Sequence, residues 1–532
     1  MLTFTKLQYN FLCALTENIM ELYQFKNNDQ IGSLDAETDN FLSSCFLESS
    51  VYDTLKRFEA KDADSVKRII VGRTGSGKTA ILKMLEEDAD IKKCAKIEAE
   101  STVFEHINNN VFISKLASSN VDLRVFYKSL WMHVLLVKVI ETVYPNEQTF
   151  VDKIYSLTAS RKRRYNLELA REYIENYQDS FFNDKIVSEI TDKFQNEVGG
   201  SLGSKDTFWS VNFKASEEQV EKIQRETARY VSSNLLKKQR ELINFITEDS
   251  SDETQSRIII SIDDLDKSWL SNSSIRYDFI NALLDAFKEL INVRSVKILI
   301  SIRTDILMGI YNTNLRQEEK DRSLIVPIEW SRRELTEILD KRISYLVMHK
   351  YATKKEVKFS DIFNFEVKNK NASDYILDRT MLRPRDAIDF VNFCLMQGDG
   401  RTSLNEDMII EAEERYYASR KAALNKEWMS QYKNVLKYID AISMVASNKF
   451  KIDELNRDEI QNFLIESSSI DSADDEKIAT DIRSLVNVWF TIGIVGIEKT
   501  KTLTVYSSFD KPTLDITDYN KTFVIHPLFY RI

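Results

Sequence analysis

Glycine and proline are the residues this chain nearly does without. Glycine occurs 12 times and proline 5 times in 532 residues, together about 3% where ~12% is average. Collagen-like repeats, Gly/Ser linkers, proline-rich recognition tracts and turn-dense all-β sandwiches all need far more of both, which leaves a helix-rich chain. Cysteine is also sparse. Cys13, Cys45, Cys94 and Cys394 stand far apart without C-x-x-C spacing, so neither a zinc site nor a disulfide framework is expected, and the thiols suit a reducing compartment. His106, His133, His349 and His526 show no metal-ligand spacing either. Residues 1–10 lack the basic start and apolar core of a secretory leader. The most apolar windows, 131–140 with His133 and Lys138 inside it and 485–497 with Asn487, fall short of the ~18–20 residues of a membrane span. A cytoplasmic protein without membrane attachment is therefore expected. Lys and Arg number 73 against 83 Asp and Glu, a net charge of −10, so no global positive field draws the chain to nucleic acid or anionic lipid.

What is present is a succession of helical and buried-strand patterns, with 43% hydrophobic and 11% aromatic content to build ordinary cores. Residues 1–63 read as an N-terminal helical cap. Residues 64–145 open with a short β-branched strand over 67–71, continue with a strand at 95–99 and close on an apolar helix at 123–143. Residues 146–255 turn polar with helical periodicity, a helical insertion with an alternating hairpin-like stretch at 207–213 beside the glycine cluster at 199–203. Ser216 and Gln219 form a capping box ahead of a long amphipathic helix. Strands follow at 257–263, 296–302 and 323–327, the first two separated by a helix with an apolar face, so residues 256–330 complete a core of alternating strands and helices, which implies a parallel sheet. Residues 331–425 read as an all-helical lid with a second capping box at Ser403 and Glu406. Residues 426–532 carry three helical segments and strand-like runs at 502–506 and 522–525, the pattern of a winged-helix domain with a terminal hairpin.

The strand at 67–71 runs into Gly72-Arg73-Thr74-Gly75-Ser76-Gly77-Lys78-Thr79, which satisfies G-x-x-x-x-G-K-[ST] in full. Glycines let such a backbone wrap with its N–H groups inward, and the following helix adds the positive end of its dipole. Gly72, Thr74, Gly75, Ser76, Gly77, Lys78, Thr79 and Ala80 are the expected nucleotide-binding residues. Lys78 supplies a point charge to the β- and γ-phosphates, and Thr79 a hydroxyl to Mg²⁺. Three of the twelve glycines fall in these eight residues. The strand Ile258-Ile259-Ile260-Ser261-Ile262 ends in Asp263-Asp264-Leu265-Asp266, delivering carboxylates to the C-terminal sheet edge, where an open α/β sheet binds its ligand. Asp263 is expected in the Mg²⁺ shell. Asp264 would be the catalytic carboxylate that orients water, and Asp266 either touches nucleotide or caps the next helix. Arg303 or Thr304, at the end of the next strand, is placed to sense the γ-phosphate, with Arg303 the expected catalytic residue. Arg316 and Arg322, just before the last strand, stand where an arginine would complete a neighbouring subunit's site.

The glycine loop, Asp263-Asp264-Leu265-Asp266-Lys267, Ile302-Arg303-Thr304-Asp305, Ile328-Glu329-Trp330, Leu382-Arg383-Pro384-Arg385-Asp386 and the closing Phe523-Val524-Ile525-His526-Pro527-Leu528, in this order, resemble a prokaryotic P-loop ATPase family near the STAND and KAP groups of AAA+-like ATPases. The resemblance covers most of the chain from about residue 51. It implies an α/β fold with an ASCE-type sheet of order 5-1-4-3-2, a helical lid and a winged helix. It also implies ATP and Mg²⁺ as cofactors, a homo-oligomer, and a switch or platform in a stress or anti-phage defence system, acting on a partner effector protein encoded nearby. Arg385, or less directly Arg383, falls where the lid of such proteins sets an arginine over the nucleotide. The alternative is an ATP-gated, DNA-binding, initiator-like protein. Against it, residues 426–532 hold 13 basic and 16 acidic residues, and Asp471, Asp474, Asp475, Glu476 and Asp481 crowd the start of the presumed recognition helix, which repels phosphate. The basic run Arg161-Lys162-Arg163-Arg164 with Tyr165 reads either as a solvated face or as a nucleic-acid contact.

Overall fold

The computed structural model describes residues 24–58, 63–99, 107, 110–157, 161–177, 180–182, 185–201, 216–250, 257–263, 265, 273–313, 318–351, 356–429, 431–468 and 478–531. Cys13, His106, the 207–213 stretch, Asp264, Asp266, Arg316 and the acids at 471–476 lie outside these residues. The chain forms two compact units: one comprises 50–71 and 85–326, the other 1–49, 72–84 and 327–532.

The first unit is built on a five-stranded parallel sheet. Its strands are β1 (Ile69–Gly72), β2 (Lys93–Glu98), β3 (Ile258–Asp263), β4 (Val296–Arg303) and β5 (Ile325–Pro327), in the order β2-β3-β4-β1-β5. All five lie within a few residues of the strands expected from sequence, in the expected order. The central β1, β3 and β4 are buried along nearly their whole length, as strands covered on both faces must be. The flanks are weaker: β2 has an alternately exposed pattern, and β5 is only three residues long and ends in Pro327, a common way to blunt a sheet edge. The β2–β3 register sets Glu98 beside Asp263, and the β3–β4 register sets Ile258 beside Val296.

Between β2 and β3 the chain makes the helical insertion. The helix Arg124–Val143 packs on Ser273–Leu290, where Trp131 Nε1 donates to the Phe279 carbonyl at 3.1 Å. The helix that opens with the Ser216–Gln219 capping box runs from Glu217 to Asp249, interrupted by a π-helical turn at Val231–Leu236. Gly199 and Gly200 belong to the end of the helix Lys185–Ser201. His133 is a core residue. Gln239 Nε2 donates to Tyr173 Oη at 2.7 Å, the Tyr173 hydroxyl lies 2.8 Å from His133 Nδ1, and Nε2 meets the Phe181 carbonyl at 3.1 Å. Burial pushes the imidazole pKa down to about 4, so it stays neutral and fully bonded. Cys45, Cys94 and Cys394 are free thiols, and no described helix is long and apolar enough to cross a membrane.

The second unit joins the N-terminal segment, the glycine loop with the helix Lys78–Glu86, and the C-terminal helical region. Residues 24–49 are not the continuous helix expected; only Leu42–Cys45 is helical before Ser50–Leu55. Polar side chains capture nearby amides instead: Asp29 accepts from Lys26 N, Ser33 Oγ from Asp35 N, Asp35 from Glu37 N and Asp39 from both Ser33 N and Phe41 N, the local competition that ends helices. The helical region runs through Arg332–Lys350, Ala372–Arg379, Pro384–Gln397 and Glu406–Trp428. It departs from the expected pattern twice. A two-stranded hairpin, β6 (Glu366–Val367) and β7 (Lys370–Asn371), interrupts it, turned by Lys368 and Asn369 at φ of +48° and +61°. The last helix is capped by Asn405, whose side chain accepts from Met408 N at 3.1 Å, not by Ser403. Beyond it, three helices (Val435–Ala441, Asp458–Ser468, Ile482–Ile492) pack with an antiparallel sheet of β8 (Lys449–Phe450), β9 (Val495–Thr500), β10 (Leu503–Val505) and β11 (Phe523–Ile525), in the order β10-β9-β11-β8. The two strand-like runs expected as a terminal hairpin instead flank β9 on either side, because 495–500 supplies a strand that its apolar sequence had disguised.

The N-terminal segment is fastened to the C-terminal helical region by a buried ion pair. Arg342 Nη2 reaches Asp39 Oδ2 at 2.6 Å with both side chains at most 5% exposed, and Arg342 Nη1 donates to the Ile31 carbonyl. Removing one partner strands a buried charge. Asp39→Ala is therefore expected to lower stability by about 3–5 kcal/mol, read from the denaturant midpoint of the full chain.

Candidate functional site

A buried β1 ends at Gly72, and the loop that follows bends through Gly75 and Gly77 at φ of +80° and +95°, conformations costly for any residue with a Cβ. At Gly75 a Cβ would also come within 2.8 Å of Arg385 Cβ. The loop's carbonyls all point at donors. Lys78 Nζ donates to the Gly72 and Arg73 oxygens at 3.0 and 3.3 Å. Arg383 Nη1 donates to Thr74 O at 3.0 Å, Arg385 N to Gly75 O at 3.3 Å, Trp330 Nε1 to Ser76 O at 2.7 Å, and Ile81 N to Gly77 O at 3.0 Å.

The amides behave in the opposite way. Ser76 N closes a turn onto Arg73 O, while the amides of Thr74, Gly75 and Gly77 have no protein acceptor among the described residues. Thr74 Oγ1 and Ser76 Oγ are buried and likewise without a partner there. Unclaimed buried donors are expensive. Successive amides with left-handed glycines between them, ahead of the helix Lys78–Glu86, form a cradle for an anion. The residues thus fit a phosphate group.

The C-terminal helical region places its groups around this loop with some economy. Pro384 occupies the first position of the helix Pro384–Gln397, where the missing N–H costs nothing, and the next amide, Arg385 N, serves Gly75. The Arg385 guanidinium is half-buried, its Nε donates to Leu34 O at 3.0 Å, and burial, followed by the charge of Arg420, lowers its pKa. Arg420 is itself paired with Asp386. Arg383, 4% exposed, also reaches Glu427 Oε2 at 3.1 Å, and Arg73 Nε reaches Glu427 Oε1 at the same distance. Burial, then the nearby Arg383 charge, pulls the Arg73 pKa down to about 10, which leaves it a cation at neutral pH.

In the sheet-bearing unit, Asp263 ends β3 as a buried residue, 6% exposed. Arg303, at the end of β4, makes a two-pronged pair with Asp305, Nε to Oδ1 at 2.9 Å and Nη2 to Oδ2 at 2.8 Å. That match of fork to carboxylate engages the guanidinium that the sequence pattern offered to phosphate. Thr304 is buried beside it. Arg322 is an exposed residue at the end of the helix Glu318–Arg322. Among the described residues no group of three His, Cys, Asp or Glu could hold a metal ion; magnesium at a nucleotide needs no such cage, since phosphates and water supply most of its ligands.

Sequence reasoning passed over Glu427, Arg73, Trp330 and Asp305 as members of these arrangements. Trp330 and Asp305 stand inside the motifs Ile328-Glu329-Trp330 and Ile302-Arg303-Thr304-Asp305. Glu427 had no local signal, because its partners are 44 and 354 residues away in the chain. Residues 333–425 match the model of a family described as the FunZ-associated C-terminal helical domain, a match that contains Arg383, Arg385 and Arg420. No curated protein and no solved structure matches the chain.

Proposed function

We propose that this chain is a Mg²⁺-dependent ATP-binding and ATP-hydrolysing switch that passes its nucleotide state to a partner protein, as an oligomer in the active form. The observation that carries the reading is the glycine loop, whose six carbonyls from Gly72 to Gly77 are each engaged by a donor while the amides of Thr74, Gly75 and Gly77 are left for a ligand. Those amides and Lys78 would hold the β- and γ-phosphates. On the motif reading, Thr79 would offer its hydroxyl to magnesium, Asp263 would be the carboxylate of the metal shell, and Asp264 would be the one to orient water. ATP supplies the phosphoanhydride; the chain's own part is to bind, orient and neutralise.

The C-terminal element, read as a winged helix, favours a protein partner over DNA. Its candidate recognition helix, Ile482–Ile492, buries Leu485, Val486, Val488, Trp489, Phe490, Thr491 and Ile492, which leaves little of it to enter a groove. It begins at Asp481, whose backbone bond from Ser484 N holds its carboxyl below the ordinary range, so the exposed Arg483 two residues on faces a carboxylate and the helix start offers no net positive charge to a phosphate. Switch function in a defence or stress system follows from the resemblance and is carried into the proposal on that basis.

Lys78→Ala should abolish binding of a fluorescent ATP analogue, and Asp264→Asn should keep binding and stop turnover; full ATPase activity in the Lys78→Ala protein would sink the proposal. Gly75→Ala tests the loop itself. It forces a Cβ into a left-handed backbone at about 1–2 kcal/mol and against Arg385, so the thermal midpoint of the nucleotide-free chain should fall by a few degrees and affinity should fall at least about tenfold as the loop is displaced. A third check uses Trp330, whose indole touches the loop at Ser76 O. ATP should change tryptophan emission in the wild type, and Trp330→Phe should remove most of that change.

A further inference from the structure

The loop residue Arg73 occupies a position that the motif leaves open, yet two separate parts of the chain are shaped around it. Its Nε donates to Glu427 Oε1 at 3.1 Å, and its Nη2 to the Ile492 carbonyl at 2.7 Å. Ile492 ends its helix in Gly493, at φ of +91°, and a Cβ there would stand 2.6 Å from Arg73 Nη1. The guanidinium also lies 5.4 Å from the centre of the Trp428 ring, a cation–π distance. Glu427 is shared. Its second oxygen takes Arg383 Nη1 at 3.1 Å, and the same nitrogen of Arg383 holds Thr74 O at 3.0 Å. One buried carboxylate, 3% exposed, therefore stands between two guanidiniums, each attached to the loop: Arg73 through its own backbone, Arg383 through a hydrogen bond.

The charges explain the division of labour. Two cations and one anion in a buried site leave a net positive charge beside the loop, and without the carboxylate the two guanidiniums would repel each other in a medium of low dielectric. A phosphate in the cradle would supply the missing negative charge. Its arrival or departure changes the balance at Glu427, and Arg73 connects that balance directly to the peptide at 492–493.

We propose that Glu427 is a positioning residue that holds Arg73 and Arg383 together on the glycine loop, and that Arg73 transmits loop occupancy to the Ile492–Gly493 turn and the strand β9 that follows it. The proposal rests on the phosphate-binding reading of the loop. It differs from that reading in naming the route by which an occupied loop is felt in the C-terminal element.

The test uses the full chain and the fluorescent analogue mant-ATP, with stopped-flow release rates and hydrogen exchange of the 493–500 amides measured with and without ATP. In the wild type, ATP alters exchange at 493–500. In Arg73→Gln, which leaves Arg383 and Glu427 as a balanced pair, release accelerates about tenfold, the scale of one charge-assisted hydrogen bond, and the exchange response at 493–500 disappears. Glu427→Gln also loses the exchange response at 493–500, because Arg73 is no longer held, and the double variant loses no more of it than either single one, since both act through one contact; an exchange response that survives in Glu427→Gln overturns the shared role. Should Glu427→Gln fail to fold, Arg73→Gln decides the question alone. A wild type that binds mant-ATP while Arg73→Gln keeps both its release rate and its exchange response overturns the linkage and leaves the phosphate site standing. A wild type that takes up no nucleotide overturns both.

Discussion

A peptide loop that turns its amides toward a ligand must find donors for the carbonyls it turns away. Each peptide unit carries both groups, and a buried one left unpaired costs as much as a lost hydrogen bond. Here the requirement is met from four directions: Lys78 folds back on Gly72 and Arg73, Ile81 N closes the helix onto Gly77 O, and Trp330 and the Arg383–Arg385 pair secure the three carbonyls between. The loop conformation is thus a property of the C-terminal helical region as much as of the glycines. This is why Leu382 can sit at φ of +47°, a strained state for a leucine, immediately before the residues that clasp the loop.

The same requirement orders the rest of the second unit. Arg385 is held by Leu34 O, so residues 31–39 must be fixed; they are fixed by Arg342 to Ile31 and Asp39, and by Asn392, whose amide exchanges bonds with Ile31 N and Gly32 O. A segment of little regular structure has its carbonyls bonded by side chains of the helical region. Regular secondary structure would have spent those carbonyls on itself.

Much of this architecture was legible beforehand, and what was not has physical causes. The three central strands, β1, β3 and β4, announce themselves as β-branched runs, since strands buried on both faces cannot alternate. Gly75 and Gly77 are conspicuous in a chain with so few glycines. The hairpin at 366–371 was missed because Lys368 and Asn369 supply the positive φ angles without glycine. The strand 495–500 was hidden because it continues an apolar helix with only Gly493 to mark the break. Ser403 looked a better cap than it is because Asn405, two residues on, does the same work. Partners such as Arg73 with Glu427, or Arg303 with Asp305, follow opposite rules: the second is a local pair at a strand-to-helix turn, the first is created by the fold and has no trace in sequence spacing.

Charge gives the sharpest contrast between sequence and site. The chain as a whole is acidic by ten charges, and on that ground alone a polyanionic ligand would be disfavoured. Around the loop the sign is reversed. Arg420 is matched by Asp386, and Glu427 is the carboxylate that Arg73 and Arg383 share, with Lys78 and Arg385 close by. Dissolved salt screens the acidic exterior within about 10 Å at ordinary ionic strength, whereas groups buried around the loop are screened far less. A ligand at the loop therefore meets the local cations and not the average of the sequence. A triphosphate is the kind of ligand whose own charge would resolve that excess, which makes the surplus of arginine around the loop an argument about binding and the net charge of the chain an argument only about its surface.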